Sequence, residues 1–126
     1  MRKLNSIVVG EDDSIADRFR SIFSDIDAET SVCFARNAKE AMAIADVIPP
    51  DVVIMDINLP GKNGIDLLKD LKMSHSKTKV IMLTNLADEL SRNRCKENGA
   101  DFFFDKATEF YRVPGAIFSF IEKVPA

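Results

Sequence analysis

Residues 51–64 read DVVIMDINLPGKNG, and this stretch decides the fold. Its apolar run, Val52 to Met55, is continuous rather than alternating, the pattern of a short strand buried on both faces. The run stops at a carboxylate, Asp56. Pro60 and Gly61 then mark a turn, and Ile65, Leu67, Leu68 and Leu71 recur at helical spacing. A strand covered on both faces and followed by a helix is the repeating unit of a parallel sheet.

The same alternation extends in both directions from this unit. Upstream, LNSIVVG (4–10) reads as a buried strand, and Ser14 with Asp17 has capping-box spacing before a helix carrying Ile15, Phe19, Ile22, Phe23 and Ile26. TSVCFA (30–35) reads as a second strand. Asn37 with Glu40 offers a cap for a helix marked by Ala41, Met42, Ala45 and Ile48, which Pro49 and Pro50 stop. Downstream, KVIMLT (79–84) is a fourth strand ending at the hydroxyl of Thr84. A helix with a thin apolar face spans about 87–98 and stops at Gly99. ADFFFDK (100–106) is a fifth strand, and Pro114 opens a last helix through Ile117, Phe118 and Ile121. Five strands alternating with five helices predict an α/β fold, a doubly wound five-stranded parallel sheet with helices on both faces.

Composition agrees. A chain of 126 residues is about one domain long, and 46% apolar with 29% charged residues argues against disorder and against a membrane span. No room is expected for a separate effector domain, so residues 1–126 are read as one module. Seventeen basic against twenty acidic residues give 17 − 20 = −3, which argues against direct nucleic-acid binding, and there is no basic recognition helix. The opening MRKLNSIVVG has too short an apolar run for a signal peptide. Cys33 and Cys95, far apart, read as one strand and one helix residue, which fits a reducing, cytoplasmic setting.

In a doubly wound sheet the chemistry sits at the carboxyl ends of the strands. Strand one delivers Glu11, Asp12 and Asp13, and strand three delivers Asp56. Such an all-oxygen cluster suits a hard ion such as Mg²⁺, with a solvated acidic loop as the plain alternative. Thr84 and Lys106 end strands four and five on the same rim. A cation and a hydroxyl beside the carboxylates make a coherent phosphoryl site, with Asp56 as the nucleophile that becomes an acyl phosphate. A dinucleotide loop is excluded, because GEDDSIAD puts acids where a pyrophosphate would approach, and neither a P-loop nor a hydrolase nucleophile elbow is present. The sole histidine, His75, in the polar segment KMSHSKT, reads as an exposed loop residue and not as a general base.

With these residues in place, the chain from about residue 4 to 124 resembles a response-regulator receiver domain of two-component signalling. The resemblance implies the flavodoxin/CheY-like (βα)5 topology with strand order 2-1-3-4-5. It implies that Asp56 accepts the phosphoryl group and that Mg²⁺ is bound directly by Asp13, by Asp56 and by the carbonyl of Asn58, with Asp12 organising it largely through water. It makes Thr84 the conserved hydroxyl and Lys106 the phosphate-binding lysine, with Pro60 and Gly64 shaping the loop. Phe103, three residues before the lysine and on the opposite face from Phe102 and Phe104, matches the aromatic switch residue. Phosphate would draw Thr84 toward it and let Phe103 turn inward, altering the surface of helix four, strand five and helix five.

The implied partners are a sensor histidine kinase or phosphotransfer protein, a downstream protein target, and a second copy through that same surface. Such a chain is not an enzyme in the usual sense. It catalyses its own phosphorylation from phosphohistidine and its slow autodephosphorylation. Three departures from the family pattern bear on rate. Asn85 stands where a small residue is usual, Ala107 where a proline after a cis peptide is frequent, and Asn58 and Leu86 occupy positions that tune dephosphorylation. A module that signals by contact without phosphate is the competing reading. Phe103, Phe110, Tyr111 and Phe120 are candidates for an exposed aromatic patch, with core packing the alternative for each.

Overall fold

In the computed structural model, residues 3–10, 12–26, 29–85 and 87–121 are described. The elements are β1 (Leu4–Val9), α1 (Asp13–Ser24), β2 (Thr30–Ala35), α2 (Ala38–Val47), β3 (Val52–Met55), α3 (Gly64–Ser74), β4 (Lys79–Thr84), α4 (Glu89–Glu97), β5 (Phe102–Asp105), a 3-10 turn (Phe110–Arg112) and α5 (Val113–Ile121). All four strand pairings are parallel and the order is β2-β1-β3-β4-β5. The chain thus winds outward from β1 in one direction to β2 and in the other to β3, β4 and β5. The reversal lies between β1 and β3, and Asp56 follows β3 there.

The two-residue strand period divides the core. Ile7, Val9, Val53, Met55, Val80 and Met82 pack with Ala41, Ala45, Leu67, Leu68, Leu71 and Cys95, so α2, α3 and α4 cover one face. Leu4, Val8, Val52, Ile54, Ile81 and Leu83 pack with Phe19, Phe23, Val113, Ile117 and Phe120, so α1 and α5 cover the other. Phe103 packs with the first group, whereas Phe102 and Phe104 pack with the second and lie 5.5 Å apart between ring centres.

Several local expectations are corrected. The cap of α1 is Asp12, whose Oδ1 accepts from the Ser14 amide at 2.9 Å and the Ser14 hydroxyl at 2.7 Å; Ser14 is a donor inside the first turn rather than the cap. Helix α4 begins after Asp88, which accepts from the Ser91 amide at 2.8 Å, so Ala87 lies outside it. The strand after Gly99 starts at Phe102 instead of Ala100, and Gly10 lies beyond the end of β1. His75 is not a free loop residue: it ends α3, and its Nε2 lies 2.8 Å from Asp46 Oδ1 on α2. Ile48, read as part of the apolar face of α2, is exposed beyond its end. The expected Asn37 cap with Glu40 is present, with the Glu40 amide donating at 2.9 Å.

The aromatic patch is likewise reduced. Phe120 is buried, Phe110 packs 5.5 Å from Phe19, and Phe103 is partly covered, which leaves Tyr111 as the exposed member. Phe118, named with Ile117 and Ile121 in the last helix, joins it on the surface. The reason is angular, since Val113, Ala116, Ile117 and Phe120 already fill the inward stripe of α5.

Candidate functional site: the carboxyl rim of the sheet

Asp12, Asp13, Asp56, Asn58, Pro60 and Lys106 line one cleft of about 430 Å³ above β1 and β3. Pairing of Val9 with Met55 sets the level of the two strand ends, so the chain enters the acidic loop directly beside Asp56. Glu11 and Leu86 lie outside the described residues. Asp13 is exposed in the first turn of α1. Asp12 lies at the same helix end, where the hydroxyl and amide of Ser14 hold its carboxyl below the usual carboxylate range.

Asp56 is half-buried and its carboxylate is engaged on both oxygens. Oδ2 accepts from Lys106 Nζ at 2.9 Å, and Oδ1 accepts from the Asn58 amide at 3.2 Å. Both members of the ion pair are about one-fifth exposed, so the pair is partly shielded from solvent and still open to a ligand. The local backbone is built around this residue. Gly61 has φ of +79°, which closes the turn after Pro60. Gly64 then brings α3 against the loop: its amide donates to the Ile57 carbonyl at 2.6 Å, and a Cβ there would fall on the Asp56 carbonyl oxygen and within 2.8 Å of Ile57 Cα. Only glycine fits that approach, and Asn63 caps the helix that follows, accepting from the Ile65 amide at 2.7 Å.

Lys106 is carried into the cleft by the end of β5, where its amide donates to the Thr84 carbonyl at 2.9 Å. The Lys106–Ala107 peptide is trans. Thr84 itself is fully buried and does not line the cleft. Strand alternation puts it on the same side of the sheet as Met82 and Phe103, the side covered by α4. Asn85 is exposed at the start of the following loop.

On the outer side, Arg92 of α4 places its guanidinium 4.6 Å from the Phe103 ring centre and donates to the Phe103 carbonyl at 3.3 Å. It also lies 3.8 Å from Glu109. Glu109 accepts from the Asp105 amide at 3.0 Å and from Arg112 at 2.9 Å; the amide bond first, then the arginines, hold its carboxyl below the usual range. Nothing in the local sequence signals Arg92, because its contacts cross from α4 to Phe103 on β5 and to Glu109 before the 3-10 turn.

The donor chemistry of the cleft is all oxygen, from Asp12, Asp13, Asp56 and Asn58, and fits a hard divalent cation. Among the described residues the carboxylates line the cleft without closing into a compact three-ligand cluster, since Asp12 is turned to Ser14 and Asp56 to Lys106. The arrangement can bring a fixed cation and a partly exposed carboxylate to a bound phosphoryl group.

Comparison with known proteins agrees with this geometry. The family model for the response regulator receiver domain matches residues 7–117. Transcriptional regulatory protein CpxR of Klebsiella pneumoniae is 35% identical over 103 residues, 82% of this chain and 43% of the relative. Transcriptional regulatory protein LnrK of Bacillus subtilis is 30% identical over 100 residues, 79% of this chain and 46% of the relative. The chain therefore spans about half the length of these curated relatives. Among solved structures, the Mn²⁺-bound form of response regulator Rcp1 has a TM-score of 0.84 at 17% identity, covering 98% of this chain and 97% of that one. The BeF3-activated DrrB receiver domain has a TM-score of 0.82 at 23% identity, covering 96% and 99%. With the matched model running from β1 into α5 and the strand order that such domains require, the chain belongs to the response regulator receiver domain family.

Proposed function

We propose that this chain is a phosphoacceptor switch in which Asp56 takes a phosphoryl group from the phosphohistidine of a sensor kinase or phosphotransfer protein. The observation that carries the reading is the Lys106–Asp56 pair at 2.9 Å in a cleft lined by further oxygen donors. A carboxylate oxygen of Asp56 attacks phosphorus, the bond from phosphorus to the donor imidazole breaks, and the departing nitrogen takes up a proton. Lys106, already held at the carboxylate, neutralises the transferred oxygens. Asp12, Asp13, Asp56 and the Asn58 carbonyl would hold a divalent cation, with Mg²⁺ the expected ion, and a cation bound there would offset the charge that gathers on the phosphoryl oxygens. Rcp1, a protein of like fold, occurs in a Mn²⁺-bound form.

The output proposed is the α4, β5 and α5 surface. Thr84 and Phe103 share the α4 side of the sheet, so a movement of Thr84 toward phosphate would free space on the side where Phe103 packs. A downstream protein, or a second copy of the chain, would read that change. Among the described residues no helix is long and apolar enough to cross a membrane.

Intact mass before and after incubation with phosphoramidate and Mg²⁺ tests the reading. The native chain gains one phosphoryl group and Asp56→Asn gains none. A native chain that gains nothing would leave the phosphate-independent interaction module as the better account.

A further inference from the structure

The strand ends define a row of three residues beyond the last sheet pairings. Val9 pairs with Ala35 on one side and Met55 on the other, so the next residues, Arg36, Gly10 and Asp56, stand abreast on β2, β1 and β3. The pairing continues into this row, since the Gly10 amide donates to the Ala35 carbonyl at 2.8 Å. With strands about 4.8 Å apart, the backbone of Arg36 is roughly 10 Å from that of Asp56. Gly10 has no side chain to separate them, and nothing lies within 4 Å of where its Cβ would be. The floor between Arg36 and Asp56 is open.

Arg36 lines the cleft together with Asp56 and Lys106, and its side chain is exposed. The other cations of the cleft are committed. Lys106 is on Asp56, while Arg20 pairs with Asp17 at 2.8 Å and lies 4.5 Å from the Phe34 ring centre. Glu40, the acid nearest Arg36 in sequence on that wall, is turned to Asn37, whose Nδ2 donates to it at 3.4 Å. Among the described residues no hydrogen bond, ion pair or ring contact engages Arg36.

We propose that Arg36 recognises the departing group of the phosphoryl donor when that group leaves as an anion, and so admits acyl phosphates as donors to the cleft alongside phosphohistidine. This rests on Asp56 being the acceptor. In an in-line displacement a carboxylate oxygen of Asp56 bonds to phosphorus as the bond from phosphorus to the acyl oxygen breaks. The electron pair departs with that oxygen, and a carboxylate leaves without any proton transfer. Negative charge therefore develops on the side of phosphorus away from Asp56, toward the mouth. Lys106 serves the near side, and Arg36 can reach the far side across Gly10 with a planar, permanently charged fork suited to a carboxylate. A phosphoramidate donor loses a nitrogen group that takes up a proton and carries no negative charge, so it gains nothing from Arg36.

The test compares initial rates of phosphoryl incorporation from acetyl phosphate and from phosphoramidate, read by intact mass on the full chain with Mg²⁺. Arg36→Gln is expected to lower the acetyl phosphate to phosphoramidate rate ratio about ten-fold, and Arg36→Lys to restore most of it. A ratio that stays within about two-fold of the native value in Arg36→Gln overturns the role of Arg36. Native chain that accepts from neither donor overturns instead the acceptor reading beneath it.

Discussion

The Arg92 guanidinium lies over the Phe103 ring, 4.6 Å from its centre, and the same side chain donates to the Phe103 carbonyl. A phenylalanine has no hydroxyl with which to anchor itself, and this contact supplies an anchor from the helix side. Arg92→Gln is expected to cost about 0.5–1 kcal/mol in urea unfolding. It should also shift the aromatic resonances of Phe103 while those of Phe102 and Phe104, across the sheet, stay in place. Unmoved Phe103 resonances would show that Arg92 does not hold the ring.

Gly64→Ala forces a methyl group onto the Asp56 carbonyl oxygen. The obstacle is backbone and cannot rotate away, so the loop must shift at a cost of about 1–3 kcal/mol. Because the displaced residue is Asp56, labelling by phosphoramidate should slow more than stability alone would explain. Gly10→Ala, where the added Cβ meets open space, is the stability control. Equal effects at the two glycines would contradict the steric account.

The folded-state pKa of Glu109 is depressed below its ordinary value of 4.5, chiefly by the Asp105 amide. Its contribution to stability is therefore complete above 4.5 and is lost as pH falls through the lower folded value. Glu109→Gln should lose less stability than the native chain over that acid interval. Asp12 and Asp88 are shifted the same way by their serine donors, so some acid dependence persists in the variant. Parallel urea-midpoint curves for native and variant chains below 4.5 would rule out the Glu109 contribution.

The two thiols should react at different stages. Cys33 is exposed on the edge strand, whereas Cys95 is buried on the inner face of α4 and burial pushes its thiol up to about 11. A thiol reagent at about pH 8 should modify one cysteine in the native chain and two in denaturant. Modification of both without unfolding would contradict the packing of α4.

The strands were the most legible part of the chain. TSVCFA and KVIMLT match β2 and β4 residue for residue, because continuous apolar runs between polar breaks admit few other readings. Ends set by a choice between neighbouring polar groups were less legible. Asp12 and Ser14 are both good caps, and their mutual hydrogen bond decides for Asp12. The 3-10 turn at Phe110–Arg112 had no signal beyond Pro114, and the link from His75 to Asp46 joins residues 29 apart in sequence. At the site, Asp12, Asp13, Asp56, Asn58 and Lys106 share a cleft as their strand-end positions imply. The depth of Thr84 and the hold of Arg92 on Phe103 depend on neighbouring elements and could not be read from either local segment.

The sheet that separates the two apolar clusters also sorts the domain's response. Thr84 and Phe103 belong to one side, while Phe19, Phe23, Phe102, Phe104, Phe110 and Phe120 fill the other. If Asp56 is phosphorylated as proposed, a change at Thr84 and Phe103 would reach α4 first, on the side of the sheet away from α1. Hydrogen exchange should register the difference as an asymmetry, with protection changing on phosphorylation in α4 and holding constant in α1.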